Sequence, residues 1–180
     1  MFIQTQETPN PNSLKFIPGK KVSNIGSIEL MKKEDTNNNL LKNILSVNGV
    51  ESIFLGDDFL SVNKNEKINW EDIKHIVISL INEFYSDGKD LILGEIIKSD
   101  NKKDFKEIEK KIIKILETKI KPAVARDGGD IKFVAFKEGI VTVQLQGSCS
   151  GCPSSTITLK RGVENLLTHY ISDVKQVEAI

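Results

Sequence analysis

The chain has 180 residues, of which 39% are hydrophobic and 28% are charged. This is the composition of an ordinary globular protein with room for one domain or two small ones. Its 25 basic and 25 acidic residues cancel to a net charge of zero, so no overall electric field indicates a nucleic-acid partner. No apolar run approaches the roughly 20 residues that cross a bilayer, so no membrane partner is expected.

The first half of the chain predicts a small two-layer domain with the order ββαββα. Its apolar residues alternate in short segments or recur at helical spacing, and prolines, glycines and asparagines separate the segments. The predicted elements are strands at 2–7 and 13–17, a helix over 40–47, strands at 50–55 and 59–63, and a helix over 70–85 that Asn69 caps. Two helices are therefore expected to cover one antiparallel sheet in a domain spanning residues 1–88.

Turn formers at 86–90 and a polar, charged run at 98–104 predict a linker over 89–101. The apolar segment 91–97 between them is compatible with a strand, a short helix or a docking segment. Residues 102–180 predict a second two-layer domain with the order αββαβ. The predicted elements are a helix over 105–120 that Asp104 caps and Pro122 stops or kinks, strands at 131–136 and 140–146, a helix from Pro153 or Ser154 to about Tyr170, and a strand at 174–179. The fold class predicted for the whole chain is α+β.

The chain contains two cysteines, and both lie in the loop Gly-Ser-Cys-Ser-Gly-Cys-Pro at 147–153. The loop is predicted to leave a strand and enter a helix, and the glycines let its backbone turn tightly against a bulky ligand. The positive end of the helix favours the thiolate of Cys152. Cys149 and Cys152 supply only half of the four ligands that a cubane cluster or tetrahedral zinc requires. A second copy of the chain is the simplest source of the other half, so a homodimer is expected when metal is bound.

Three functions are compatible with this thiol pair. It can share an iron–sulfur cluster between two chains, exchange disulfides as an oxidoreductase, or hold a structural zinc ion between two chains. No Ser/His/Asp grouping, P-loop or GxGxxG motif occurs, so the chain is expected not to be an enzyme. Asn10, Asn12 and the segment 127–130 are interpreted as turn formers.

Two stretches of the chain resemble the Nfu family, the NifU-type iron–sulfur cluster scaffold and carrier proteins. One runs from Gln6 to Phe16, with the sequence QETPNPNSLKF, and resembles the opening of the family's N-terminal domain. The other runs from Lys121 to Ile131 and continues with 147–155, and it resembles the family's cluster-binding domain. The resemblance implies partner recognition for residues 1–88 and cluster binding for residues 102–180.

The resemblance also implies a mechanism and partners. Two subunits of such a protein pool their CxxC motifs to hold one labile [4Fe–4S] cluster, so the motif match assigns ligand roles to Cys149 and Cys152. The cluster would come from upstream assembly factors and pass to apo iron–sulfur proteins. The spacing of the cysteines is by itself compatible with either a [4Fe–4S] or a [2Fe–2S] cluster.

The first eight residues contain no basic segment followed by an apolar one and no Arg/Ser-rich stretch. A cytoplasmic location of the bacterial type, without a transit or signal peptide, is therefore predicted. In such a reducing compartment a CxxC pair is expected to bind metal or react rather than form a structural disulfide.

Overall fold

The structure is a computed structural model that describes residues 2–91, 105–151 and 153–180, with residues 153–155 described by their backbone alone. Its strands form two separate sheets, each accompanied by helices, which confirms the predicted α+β fold class. Among the described residues, no helix is long and apolar enough to span a membrane.

The N-terminal domain consists of a five-stranded antiparallel sheet and two helices. The strands lie in the spatial order β1-β2-β5-β4-β3. The elements are β1 (Gln4–Glu7), β2 (Ser13–Ile17), β3 (Ile28–Leu30), α1 (Asn39–Leu45), β4 (Val50–Leu55), β5 (Leu60–Lys64) and α2 (Trp70–Ser86), with a 3₁₀ turn at Lys33–Asp35.

Alternation along the strands gives this sheet one apolar face. Leu60 and Val62 of β5 are fully buried and join α1 and α2 in the hydrophobic core. Asn38 caps the start of α1, because its side chain accepts hydrogen bonds from the backbone N–H groups of Leu40 and Leu41. Asn69 precedes α2 as predicted, but it makes no side-chain capping hydrogen bond.

The strand β3 was not predicted from the sequence. It has only three residues, and it follows a segment of glycine and serine that gives no strand signal. Pairing with β4 holds it at the edge of the sheet, with Glu29 opposite Phe54. The predicted order ββαββα therefore becomes βββαββα.

The C-terminal domain has the predicted order αββαβ, with its first helix divided into three consecutive parts. The strands β6 and β7 form an antiparallel hairpin, and β8 pairs parallel to β7 after the crossover helix α5. The elements are α3 (Glu107–Ile115), a π-helical segment (Leu116–Ile120), α4 (Lys121–Arg126), β6 (Gly129–Lys137), β7 (Ile140–Gly147), α5 (Pro153–Tyr170) and β8 (Gln176–Ala179). The predicted cap Asp104 and the linker over 92–101 lie outside the described residues.

Pro122 does not stop the first helix of this domain, contrary to one of the two predicted outcomes. The π-helical segment Leu116–Ile120 directly precedes it, and the helix continues through α4 to Arg126. A proline lacks an N–H, and its ring would clash with a carbonyl one turn earlier in a regular helix. The wider π turn relieves this clash, so the chain stays helical up to the loop that precedes β6.

Candidate metal centre

Cys149 lies in the loop that joins the end of β7 to the start of α5, as predicted. It is a free thiol with 7% of its surface exposed, and it packs with the hydrophobic core of the C-terminal domain. Cys152 lies outside the described residues, so its role as a ligand remains a prediction. The loop begins at Gly147 with φ +68° and contains Gly151 with φ +77°, both in the left-handed region that favours glycine.

Close backbone contacts explain why glycines surround Cys149. A Cβ atom on Gly129 would lie 2.7 Å from the Cys149 sulfur. A Cβ atom on Gly147 would lie 2.6 Å from the Gly128 carbonyl oxygen, whereas one on Gly151 would meet no atom of the described residues within 4 Å. The start of the loop is therefore tightly packed, whereas Gly151 has no such close neighbour in the part of the chain that the structure describes.

The turn between α4 and β6 holds one side of the cysteine loop by hydrogen bonds. The Ser148 N–H donates to the Gly128 carbonyl at 3.2 Å, and the Ser148 hydroxyl donates to the Asp127 carbonyl. On the other side of the loop, the Thr156 hydroxyl donates to the Cys149 carbonyl at 3.3 Å. Residues 127 and 128 form a turn as predicted, and this turn holds the loop, whereas Gly129 and Asp130, also predicted as turn residues, already belong to β6 because they pair with Gly147 and Gln146.

The N-terminal domain also forms hydrogen bonds to the cysteine loop, which the sequence did not indicate. The side-chain amide of Asn10 donates to the carbonyls of Ser148 at 3.1 Å and Ser150 at 3.3 Å, on either side of Cys149. The amide of Asn63 donates to the Gly147 carbonyl at 3.1 Å. Asn10 also accepts from the Asn12 N–H, so the predicted turn role is present beside this second role.

Glu29 completes the contacts of the N-terminal domain with the cysteine loop. Its Oε1 accepts hydrogen bonds from the Gly147 N–H at 3.3 Å and from the Ser150 hydroxyl at 3.4 Å. Burial raises the pKa of the Glu29 carboxyl, and these donors act in the opposite direction. No sequence signal identified Glu29, because the strand that carries it was not predicted.

A cavity of about 370 Å³ lies next to Cys149, between the two domains. Pro9 lines it from the N-terminal domain, and the lining from the C-terminal domain comes from Val124, Asp127, Ser148, Cys149, Thr158 and Leu159. The Cys149 thiol therefore adjoins a space that the N-terminal domain closes on one side.

Burial raises the pKa of the Cys149 thiol to about 11, with a smaller contribution in the same direction from Asp127 and Asp130. The Ser148 side chain acts in the opposite direction. The thiol is therefore neutral at physiological pH in this conformation, and a metal ligand or a nucleophile must be a thiolate. Cys149 must lose its proton, and gain contact with a cation or solvent, before it can ligate metal.

No cluster of three or more His, Cys, Asp or Glu side chains is arranged for metal binding within the described parts of the chain. The donor chemistry available at the loop is thiolate, which suits soft metal ions and iron–sulfur clusters. With two cysteines in the sequence, one chain cannot provide four thiolates. The donor set fits half of a cluster and requires a second source of ligands.

Two family models match the chain and together cover most of it. "Scaffold protein Nfu/NifU N terminal" matches residues 3–88, and "NifU-like domain" matches residues 112–178. The fold and the CxxC loop therefore define a NifU-like protein with an additional N-terminal domain.

Relatives extend this similarity along nearly the whole chain. "NifU-like protein 4, mitochondrial" from Arabidopsis thaliana is 44% identical over 99% of this chain and 65% of its own length. "NFU1 iron-sulfur cluster scaffold homolog, mitochondrial" from Homo sapiens is 41% identical over 100% of this chain and 72% of its own length. A solution NMR structure of a NifU-like protein from Saccharomyces cerevisiae is 34% identical over 53% of this chain and 86% of that one, with a TM-score of 0.46. The chain belongs to the Nfu family, which confirms the resemblance found in the sequence.

These relatives correct the predicted location. The plant and human proteins carry the word mitochondrial in their names, so the prediction of a bacterial-type cytoplasmic protein is wrong. The chain spans about two thirds of the length of these relatives, 65% and 67% for the two plant proteins. The composition of its first residues was therefore not a valid guide to its compartment.

Proposed function

We propose that this protein is a carrier that holds an iron–sulfur cluster between two copies of the chain and delivers it to apo-proteins. The observation that carries the proposal is the Cys149 thiol in a glycine loop between β7 and α5, three residues before the chain's second cysteine. The human relative is named as an iron–sulfur cluster scaffold, which supports the same function here.

The number of thiols supports a shared site. A [4Fe–4S] cluster takes four thiolates, and Cys149 and Cys152 of two copies supply four. The two copies would meet across a two-fold axis, with the same loop from each copy on either side of the cluster. The cluster is then cargo that stabilises the dimer by mass action, and dimer opening releases it to an acceptor.

The division of labour between the domains is part of the proposal. Residues 102–180 would carry the cluster, residues 89–101 would connect the domains, and residues 1–88 would recognise upstream assembly factors and acceptor proteins. The family matches to residues 3–88 and 112–178 support these boundaries. The N-terminal domain contributes no cysteine, so its role is in recognition or control rather than ligation.

The thiol–disulfide oxidoreductase would use the same two cysteines within a single chain and would need neither iron nor a second copy. The burial of Cys149, which raises its pKa to about 11, affects a redox nucleophile and a metal ligand alike, because both act as thiolates. The zinc-bridged dimer uses the same four thiolates, and it differs from the carrier in colour and in the stability of its metal.

Anaerobic reconstitution with ferrous iron and sulfide tests the proposal. We expect a brown protein with visible absorption, about four iron and four sulfide per two chains, and the size-exclusion mass of a dimer. The variants Cys149→Ser and Cys152→Ser should each lose the absorption while keeping the wild-type circular dichroism. Ser150→Ala, which changes a neighbouring loop residue without removing a thiol, is the matched control and should keep the cluster.

Two results would contradict the carrier. A stoichiometric cluster in either cysteine variant would show that the ligands lie elsewhere. A colourless monomer that undergoes a reversible two-electron oxidation would favour the oxidoreductase instead.

A further inference from the structure

The N-terminal sheet has a mostly polar outer face, opposite the face that packs on α1 and α2, and the buried ring of Phe54 lies among its polar side chains, paired with Glu29 and Ser61. Cross-strand pairing places its members together, because Ser13 and Ser52 both pair with Asn63 and Lys15 pairs with Ser61. Five of its polar side chains are at most 8% exposed, and Glu29 is half-buried. We use the term polar face for the residues Ser13, Lys15, Glu29, Ser52, Ser61 and Asn63.

The polar face is buried by the C-terminal domain, and its hydrogen bonds converge on the cysteine loop and the turn beneath it. The Ser61 hydroxyl donates to the Gly128 carbonyl at 2.8 Å, and the Lys15 ammonium donates to the Ala125 carbonyl at 2.9 Å. Asn63 and Glu29 bond to Gly147, as described above. Asn10, in the turn before β2, adds the bonds to the carbonyls that flank Cys149.

In this arrangement the Cys149 thiol is shielded from a second chain that would share a cluster with it. The thiol is 7% exposed, and Pro9 of the N-terminal domain lines the cavity beside it. A cluster ligand must be exposed on the side from which the partner's thiolates approach. The closed arrangement of the two domains is therefore a form of the protein without cluster.

The chemistry of the interface allows the domains to separate. When the polar side chains leave their partners, water replaces the lost hydrogen bonds, so each bond contributes only a modest net stability. The main cost of opening is then the exposure of the Phe54 ring, which packs at the start of the cysteine loop. Two polar atoms of the face, Ser13 Oγ and Asn63 Oδ1, are buried without a hydrogen-bond partner among the described residues. Such atoms gain hydration on opening, which lowers the cost of separation.

We propose that this interface is a releasable latch, in which the polar face and Asn10 cover the cysteine loop until the domains separate for cluster binding. The inference rests on the proposed function and adds its regulation. Because the cluster binds only the open form, cluster binding shifts the population toward separated domains. Because cluster binding and domain separation are coupled, a substitution that weakens the latch exposes Cys149 and favours cluster uptake.

The variant Asn10→Asp tests the latch in the full-length apo-protein. Aspartate keeps the oxygen that accepts from the Asn12 N–H, but it loses the amide donors and places a carboxylate against the Ser148 and Ser150 carbonyls. Asn12→Asp is the matched control, because it adds the same charge in the same turn and keeps the acceptor for the Lys64 ammonium.

The measurement is the alkylation rate of Cys149 by iodoacetamide, under anaerobic conditions at pH 8, with the site assigned by tandem mass spectrometry. We expect Asn10→Asp to accelerate alkylation about tenfold or more, and Asn12→Asp to react at the wild-type rate. A negative charge near a thiol disfavours the thiolate, so the added charge alone would slow the reaction. Equal rates in Asn10→Asp and the wild type would overturn the latch, as would equal acceleration in the control.

Lys15→Met provides a second test if Asn10→Asp does not fold. It removes the ammonium that donates to the Ala125 and Arg126 carbonyls but keeps the aliphatic part of the side chain. Faster alkylation of Cys149 in this variant supports the latch, and an unchanged rate contradicts it. These rates are measured without iron, so a chain that binds no cluster at all would refute the proposed function and leave the result on the latch valid.

Discussion

The two sheets of this protein each have a polar outer face, and these two faces have different environments. On the C-terminal sheet, Gln144 is exposed and Thr142 is half-buried, and the end of this face at Asp130 and Lys132 contacts Ser27 of the N-terminal domain. On the N-terminal sheet, Ser61 is completely buried and Ser52 is 4% exposed. Alternation along a strand therefore identifies the side chains that leave the core, but it does not reveal whether they meet water or another domain.

The largest expected effect on stability comes from comparing two neighbouring residues on opposite faces of β5. Leu60 and Ser61 are both 0% exposed, one toward the core and the other toward the C-terminal domain. Leu60→Ala should lower the free energy of unfolding by about 2–5 kcal/mol, because it leaves a cavity in the core. Ser61→Ala should cost about 1 kcal/mol, because it removes a single hydrogen bond to Gly128.

Urea denaturation followed by the fluorescence of the single tryptophan, Trp70, measures both values in the N-terminal domain. Equal losses in the two variants would mean that the polar face is as necessary for folding as the core. The distinction between a permanent core and a releasable interface would then fail.

The second test concerns the contact between Phe54 and the start of the cysteine loop. A Cβ atom on Gly147 would lie 2.6 Å from the Gly128 carbonyl oxygen and 2.8 Å from the Phe54 ring, whereas one on Gly151 would contact no described atom within 4 Å. Both glycines have positive φ, so alanine introduces similar backbone strain at each position. Gly147→Ala should therefore cost about 1–3 kcal/mol more than Gly151→Ala in thermal unfolding. Similar losses in the two variants would show that the packing at Gly147 is loose.

The third and smallest test is the pH dependence of stability that Cys149 produces. Burial raises its pKa from 9.0 to about 11. Between these values the unfolded thiol loses its proton while the folded thiol keeps it, so the unfolded state binds fewer protons and stability falls as the pH rises. From pH 8 to pH 10 the wild type should lose about 1 kcal/mol relative to Cys149→Ala, measured by urea denaturation under anaerobic conditions. Identical pH profiles would show that the thiol is not buried in solution.

Much of the fold could be predicted from the sequence because its elements depend on local patterns. The predicted bounds of β2 and β4 agree with the structure, because each strand is a short apolar segment with turn-forming residues before and after it. The short strand β3 could not be found this way, because only its pairing with β4 makes it a strand. The continuation of the helix past Pro122 depends on a π turn that no local signal revealed.

The candidate site was predictable only in part. The spacing of Cys149 and Cys152 and the glycines around them indicated the loop and its position between a strand and a helix. The contacts of Asn10 with the loop join residues 138 and 140 positions apart in the chain, so no local pattern could indicate them. Asn10 was interpreted as a turn residue, and its hydrogen bond to Asn12 shows that this explanation was sufficient but incomplete.

The most direct test of the central claim is native mass spectrometry of the anaerobically reconstituted wild-type protein. We expect a species with the mass of two chains and one [4Fe–4S] cluster, which loses its cluster and its dimeric state together when an iron chelator is added. A single chain that carries a complete cluster would contradict the shared site. A dimer that retains two chains and no iron after reconstitution would contradict the role of the cysteines as its bridge.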